Sequence, residues 1–150
     1  METKLVYMRV RVAGVLAHDR GLLLVKHAKN GKTYWLLPGG GVKLGERLQN
    51  ALMREFTEEL SLNVTVKELL FVVETVSPQG EHILQPTYDV ASRGANDILL
   101  GSDKRVVDFH FFRQDTIGDI VLYPDIKDEL AAYLQSHRVY QRYVLKRWSE

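Results

Sequence analysis

Residues 39–62 read GGGVKLGERLQNALMREFTEELSL. Between Arg47 and Leu60 this stretch contains neither glycine nor proline, and helix-forming residues dominate it. An apolar side chain recurs there every four residues, which is the spacing of one buried helix face: Leu48, Leu52, Phe56 and Leu60. The stretch therefore predicts a loop of three glycines that leads into an amphipathic helix.

The same helix carries three glutamates on one side. Glu55, Glu58 and Glu59 are spaced i, i+3 and i+4, so they occupy an arc of roughly 100° next to the apolar row. Such a face offers several carboxylates to a hard cation such as Mg²⁺ or Mn²⁺, and bare glycine carbonyls can add further oxygen ligands. The alternatives are a solvated helix face with an ordinary Arg54–Glu58 ion pair, and a plain tight turn at the glycines.

Taken together, these features resemble the Nudix box, whose pattern is G-x5-E-x7-R-E-U-x-E-E-x-G-U with U an apolar residue. The box covers residues 40–62, and a chance match in a chain of this length is on the order of one in 100,000. Ser61 stands where the family has glycine, a residue that is expected there to end the helix in a left-handed conformation. The positions in register are Gly40, Glu46, Arg54, Glu55, Phe56, Glu58, Glu59 and Leu62.

The resemblance implies a Nudix-like α/β (α+β) fold, an α/β/α sandwich with a mixed β-sheet, and one domain over residues 1–150. It also implies a pyrophosphohydrolase that cleaves a nucleoside diphosphate linked to another group, such as a nucleotide sugar, ADP-ribose or a nucleoside triphosphate. By the family's pattern Glu58 and Glu59 would bind Mg²⁺ or Mn²⁺, and Glu55 would be a ligand or the general base. A carbonyl of Gly39 or Gly40 would add a ligand.

The family pattern leaves some residues with less defined roles. Arg54 and Glu46 would orient the glutamates and tie the glycine loop to the helix, although Glu46 could also be purely structural. A further acidic ligand often follows the box in this family, and Asp103 and Asp108 are candidates for it, with a surface position as the alternative for each. His110 is expected to be a structural histidine on a strand.

Substrate contacts are expected in the short approach to the glycine loop. Tyr34 or Trp35 could stack on a base, with packing in the core as the alternative for Trp35. Four basic side chains lie near them and could meet phosphates, although a solvated strand end and turn would also explain them: Lys26, His27, Lys29 and Lys32.

Outside the box the sequence predicts strands around the central helix. Pro86 favours an edge strand or a bulge for its segment, and a second helix should open at Tyr123-Pro124-Asp125 and run to about Ser136. Turn residues at 18–21 and at Asn30-Gly31 predict two hairpins. The expected strands are Val10–Ala17, Gly21–His27, Tyr34–Leu37, Val64–Val76, Ile83–Val90 and Val106–Phe112.

Composition narrows the classes of function. The chain has no cysteine, which excludes disulfides, thiolate zinc sites and a cysteine nucleophile. Its 20 basic and 19 acidic residues nearly cancel, so nucleic acid and membranes are not expected partners. No signal-peptide run and no apolar stretch of about 18 residues is present, and we expect a soluble, cytoplasmic protein.

The last segment, residues 137–150, is rich in basic and aromatic side chains. We expect it to be helical and to pack Val139, Tyr140, Tyr143 and Val144 against the domain or against a second subunit, as in a homodimer. If it is instead a nucleic-acid surface, the chain would act on the 5′ end of RNA. A non-catalytic domain that senses a nucleotide is a third alternative, and the intact Arg54-Glu55 and Glu58-Glu59 pairs argue against it.

Overall fold

The computed structural model describes residues 7–77 and 80–147. Its helices are α1 (Leu48–Leu60) and α2 (Lys127–Ser136), with a short 3-10 turn at Ile117–Asp119. Its strands are β1 (Arg9–Val15), β2 (Ala17–His18), β3 (Gly21–Lys29), β4 (Lys32–Leu36), β5 (Gly39–Gly41), β6 (Thr65–Val76), β7 (His82–Ala91), β8 (Val106–Phe112) and β9 (Tyr143–Arg147).

Both predicted hairpins are present. Ala17 pairs with Leu22 across the β2–β3 turn. Between β3 and β4, Asn30 and Gly31 have φ angles of 53° and 76°. Two consecutive positive φ angles are what a two-residue hairpin loop requires, and Asn-Gly is the pair that adopts them most readily.

The strands form two sheets. One has five strands in the order β5-β1-β7-β6-β9, and the other joins β2, β3 and β4, with β8 on the free side of β3. The pairs β1–β7 and β6–β9 are parallel, and the remaining pairs are antiparallel. The mixed sheet expected from the family pattern is therefore confirmed.

Apolar residues fill both faces of the sheets because the central strands are continuous hydrophobic runs. In β3, Leu23 and Val25 pack in the same core as Phe56 of α1. Their neighbours Leu22 and Leu24 point to the opposite face and pack in the core that contains α2. The sheets thus lie between the two helices, and the α/β/α sandwich is confirmed.

Helix α1 ends as the family pattern implies, although Ser61 replaces glycine. Ser61 has φ 52° and ψ 36°, which is the left-handed conformation. Its N–H donates to the carbonyl of Thr57, and the N–H of Leu62 donates to that of Phe56. These bonds satisfy carbonyls that the helix end would otherwise leave free. They also hold Ser61 in the left-handed conformation, which costs a residue with a Cβ roughly 1 kcal/mol.

Pro86 does not lie on an edge strand. β7 runs inside the five-stranded sheet between β1 and β6, so that alternative is wrong. The pairing of β7 with β1 passes from Leu84 directly to Thr87. A proline has no N–H to donate, and this interruption of the ladder accommodates it.

The prediction of a helical tail is wrong for the residues that the structure describes. His137, in the left-handed conformation, ends α2, and Tyr143–Arg147 form β9 beside β6. Val144 is buried between exposed Tyr143 and Leu145, which is the two-residue alternation of a strand. Val139 packs at the α2 core, whereas Tyr140 is exposed. Residues 148–150 lie outside the described part of the chain.

Helix α2 begins at Lys127, three residues after Pro124, rather than at the proline itself. Within residues 7–77 and 80–147, neither helix is long and apolar enough to cross a membrane.

Candidate active site

Arg54 connects the glycine loop to the glutamates of α1. Its Nε and Nη2 each donate to one oxygen of Glu46 at 2.9 Å, and Nη2 also donates to the carbonyl of Gly41 at 3.1 Å. Its Nη1 donates to Glu55 at 2.8 Å and to Glu58 at 3.2 Å. The forked contact with the guanidinium lowers the pKa of Glu46 to about 2. One side chain thus holds three carboxylates and the loop in a fixed relation.

Glu55 is buried directly beneath the glycine strand β5. A Cβ added at Gly40 would lie 2.4 Å from the Glu55 carboxyl carbon, so only glycine leaves room for this carboxylate. Arg54 satisfies Oε1, but Oε2 has no hydrogen-bond partner among the described residues. Burial raises the pKa of Glu55, and the neighbouring Arg54 opposes that rise.

Glu59 is buried more deeply, with 1% of its surface exposed. Its Oε1 accepts the N–H of Gly39 at 2.8 Å, which ties the start of β5 to the helix. Its Oε2 lies 3.6 Å from Nε2 of His27, and neither atom has a hydrogen-bond partner in the described part of the chain. Glu58 differs from both neighbours, because its side chain is 40% exposed and pairs with Arg54.

These carboxylates fit a divalent cation. Two buried oxygens, one each on Glu55 and Glu59, lack partners within the described residues, and a buried unpaired carboxylate oxygen is costly unless a cation or donor meets it. Over residues 7–77 and 80–147, no group of three His, Asp or Glu side chains converges tightly enough to hold an ion alone. Backbone carbonyls, water and substrate phosphates would have to complete the shell, as is usual for Mg²⁺.

The two aspartates expected as further ligands are engaged elsewhere. The Asp103 carboxylate forms a forked contact with Arg105 at 2.8 and 3.1 Å, which lowers its pKa. The backbone N–H of Asp103 donates to the carbonyl of Glu58, so the loop before β8 rests on the end of α1. Asp108 is exposed, and its Oδ1 accepts the N–H of Phe109.

An open cleft of about 420 Å³ adjoins these groups and lies between the two sheets. Its walls include the glycines of β5 together with His27, which reaches Glu59. Its cationic lining residues outnumber the one acidic residue, Glu81: Arg9, Arg11, Lys29 and Arg105. A cleft of this size and charge suits an anionic, nucleotide-sized ligand.

Of the substrate contacts expected from the sequence, Tyr34, His27 and Lys29 line the cleft. Lys26 and Trp35 do not. They are partners across β3 and β4, and strand alternation turns both to the opposite face, where Lys26 lies 5.6 Å from the Trp35 ring and that ring packs on Phe112.

Other sequence candidates also lie outside the cleft. Lys32 is exposed at the start of β4, and His110 is exposed on β8 with its ring against Phe112.

Several residues that line the cleft were not predicted from the sequence. Arg11 donates to Gln85 Oε1 at 2.8 Å and to the carbonyl of Leu37 at 2.7 Å, and burial lowers its pKa. Its signal was visible, since it is a lone charge in the apolar run from Val10 to Leu16. Gln85 and Arg105 carried no such signal, because distant pairing brings them to the cleft.

Known proteins resemble this chain both in sequence and in fold. The sequence profile described as NUDIX domain matches residues 8–135. The chain therefore belongs to the NUDIX domain family. Among solved structures, a MutT protein from Methanosarcina mazei Go1 superposes with a TM-score of 0.74 at 17% identity, covering 88% of this chain and 96% of that one.

Two relatives show the range of activities named within the family. A protein of Methanocaldococcus jannaschii named ADP-ribose pyrophosphatase is 33% identical over 103 residues, which is 67% of this chain and 60% of the relative. An Escherichia coli protein named nucleoside triphosphatase NudI is 38% identical over 64 residues, 41% of this chain and 45% of the relative. The chain spans about half the length of the curated relatives it matches.

Proposed function

We propose that this protein is a divalent-metal-dependent pyrophosphohydrolase that cleaves the phosphoanhydride bond of a nucleoside diphosphate linked to another group. That group would be a sugar, the ribose of ADP-ribose or a third phosphate. The observation that carries the proposal is the pair of buried glutamates, Glu55 and Glu59, whose unpaired oxygens lie beside a glycine strand at the margin of a basic cleft. The names of the two relatives support the same class of substrate.

In this proposal Glu58 and Glu59 hold Mg²⁺ or Mn²⁺, and a carbonyl of Gly39 or Gly40 adds a ligand. Glu55 is either a further ligand or the base that takes the proton of the attacking water. A bound divalent cation supplies a lowered pKa for water and neutralises charge on the phosphate oxygens. Arg54 fixes the direction of Glu55 through Oε1 and leaves Oε2 free for either role.

The cleft provides the counter-charges that the diphosphate needs. Arg105 is fixed by its forked pair with Asp103, and Lys29 and Arg9 line the same cleft. Together with the bound cation, these positive charges would offset the repulsion between the phosphates and the glutamates of α1. Of Tyr34 and Trp35, Tyr34 is the one placed to stack on a base, because it lines the cleft and Trp35 does not.

The RNA alternative depended on a free basic tail. In the structure Lys146 pairs with Glu129 at 2.6 Å, and Arg142 donates to the carbonyl of Leu69. Two of the tail's cations are thus engaged in holding β9 to the fold, so we favour a small nucleotide as the substrate. A cytoplasmic location, a homodimer and a single domain over the whole chain remain predictions.

A substrate screen tests the proposal. Purified protein is incubated with nucleotide sugars, ADP-ribose, nucleoside triphosphates and triphosphorylated RNA, and the products are resolved. We expect hydrolysis of a small nucleotide that EDTA abolishes and that Mg²⁺ or Mn²⁺ restores, because Glu55 and Glu59 need a cation to complete them. Turnover that persists in EDTA would contradict the mechanism. Turnover confined to RNA would favour the alternative.

A further inference from the structure

Two polar groups on the wall of the cleft are buried without a partner. The side-chain amide nitrogen of Gln85, on β7, and the hydroxyl of Thr75, on β6, find no hydrogen-bond partner among the described residues. Each residue is 2% exposed, and both line the cleft. Native structures rarely leave such groups unpaired, and an unpaired buried donor needs an explanation such as a ligand.

The unpaired group of Gln85 is a hydrogen-bond donor, because Arg11 contacts the oxygen of the same amide. A guanidinium can only donate, so the Gln85 oxygen must face it, as their 2.8 Å contact shows. The second contact of Arg11, to the carbonyl of Leu37, fixes the guanidinium from the other side. The amide nitrogen of Gln85 therefore presents N–H groups to whatever occupies the cleft. The Thr75 hydroxyl can donate or accept.

The strands of Gln85 and Thr75 lie two and three strands away from the glycine strand β5. Strands β5, β1, β7 and β6 are neighbours in that order, and Arg11 pairs with Gly41 while Thr75 pairs with Ile83. Because neighbouring strands are about 4.8 Å apart, the backbone of Gln85 lies about 10 Å and that of Thr75 about 14 Å across the sheet from the backbone of Gly41. A nucleobase one sugar away from a diphosphate at Glu55 and Glu59 would span a separation of this order.

Aromatic rings line the same cleft. Tyr34 and Tyr123 both contribute to it, with their ring centroids 5.1 Å apart. Planar bases stack on such rings while their edges remain free for hydrogen bonds. Aromatic rings beside the unpaired amide of Gln85 and hydroxyl of Thr75 therefore suit a nucleobase.

We propose that Gln85, Thr75 and Arg11 form a nucleobase subsite that reads C6 of a purine or C4 of a pyrimidine. It selects guanine and uracil, which carry a carbonyl oxygen there, over adenine and cytosine, which carry an amino group there. The inference rests on the proposed function, because it takes the ligand to be a nucleotide. The amino group of adenine or cytosine at that position would place donor against donor at Gln85 and leave both unpaired. A carbonyl oxygen accepts the amide N–H groups and gains from the positive charge of Arg11.

Binding without catalysis gives the first test. Affinities of GDP, UDP, ADP and CDP are measured by calorimetry in EDTA, so that no hydrolysis intervenes. We expect GDP or UDP to bind about 10- to 100-fold more tightly than ADP and CDP, the penalty of one buried unpaired donor. Equal affinities, or a preference for ADP, would overturn the subsite.

A second test reverses the hydrogen-bonding character of the wall. Gln85→Glu keeps an oxygen for Arg11 but replaces the free donor by an acceptor, so we expect the preference to shift toward ADP and CDP by about 10-fold or more. Gln114→Glu makes the same chemical change at an exposed position outside the cleft and should leave the ratio unchanged. An unchanged ratio in Gln85→Glu would contradict the proposal.

Thr75→Val provides an independent check, because valine is close to threonine in shape but has no hydroxyl group. We expect it to weaken nucleoside diphosphate binding several-fold while thermal melting shows a folded protein. Unaltered affinities for all four nucleotides would remove Thr75 from the subsite and count against the proposal.

The outcomes separate this inference from the proposed function. Base-selective binding without metal-dependent hydrolysis would retain the subsite and refute the enzyme. Metal-dependent hydrolysis with no selectivity among the four bases would retain the enzyme and refute the subsite.

Discussion

Two adjacent glycines of β5 have different surroundings. A Cβ at Gly40 would lie 2.4 Å from the carboxyl carbon of Glu55, whereas a Cβ at Gly41 would meet no atom of the described residues within 4 Å. We expect Gly40→Ala to displace the Glu55 carboxylate and to lower kcat/KM about 100-fold, because small misplacements of reacting groups have effects of that size. Gly41→Ala should stay close to wild type.

Steady-state kinetics and thermal melting of both variants check this prediction. Melting is needed because Gly40→Ala could also destabilise the protein by forcing Glu55 or β5 to move. Equal activity in the two folded variants would mean that the contact between Gly40 and Glu55 has no part in catalysis.

The box residues could be predicted from sequence because they are local. Helical spacing alone places Glu55, Glu58 and Glu59 on one arc, and the fork of Arg54 joins residues of one short segment. Helical spacing could not show that Glu58 is 40% exposed while Glu59 is buried. The burial of each side chain depends on how far α1 lies beneath β5. Arg11 shows the other limit, because its partner Gln85 is 74 residues away.

At the level of elements, one carboxylate joins three strands. The hydroxyl of Tyr143 on β9 donates to Glu74 on β6, and Nε2 of His82 on β7 lies 2.5 Å from the other oxygen of Glu74. The bond from Tyr143, followed by that from His82, lowers the pKa of Glu74. β9 is the edge strand of its sheet, so this cluster is one of the contacts that hold it there.

The lowered pKa sets the pH range in which the cluster stabilises the fold. A carboxyl whose pKa is lower in the folded state contributes stability above the ordinary value of 4.5, and that contribution is lost as pH falls through the folded value. We expect Glu74→Gln to lower the melting temperature near pH 7 and the difference from wild type to shrink as pH falls below 4.5.

The matched control for this prediction is Glu68→Gln, an exposed glutamate on the same strand. Its melting curve should follow wild type more closely at both pH values. If Glu74→Gln melts like wild type at pH 7, the contacts with Tyr143 and His82 do not stabilise β9.

The tail shows why a strand can be predicted as a helix from the sequence. Spaced apolar residues between 139 and 144 suit a helix as well as a strand, and such short runs are ambiguous. The parallel partner of β9, residues Val72–Val76, lies some 70 residues earlier. By contrast, α1 and both hairpins were predictable because their signals are local.

At the scale of the whole molecule, the cleft forms where the two sheets part. Two hydrophobic cores hold the sheets between α1 and α2, and the polar ends of β1, β6 and β7 extend beyond the core to form one wall. The glycine strand β5 lies at the edge of the larger sheet and touches α1, so the glutamates meet the cleft at its margin. The proposed catalytic glutamates therefore come from α1, whereas the proposed recognition groups come from strands of the larger sheet.

Metal binding should consequently stabilise the whole molecule. A ligand that binds only the folded state, present at 100 times its Kd, adds about 2.7 kcal/mol. For a chain of this size we expect a rise in Tm of about 5–10 °C with Mg²⁺ or Mn²⁺. The measurement is thermal melting with and without the cation, with Glu68→Gln again as the matched control.

Glu59→Gln distinguishes the metal site from an ordinary buried glutamate. Its Oε1 can still accept the N–H of Gly39, so the metal-free Tm should stay level, or rise slightly because a buried charge is removed. The rise with metal should vanish, and turnover should fall by orders of magnitude. Glu58→Gln should lose less metal stabilisation, because Glu58 is 40% exposed and already paired with Arg54. Wild-type rates in Glu55→Gln, Glu58→Gln and Glu59→Gln together would show that this helix is not the active site.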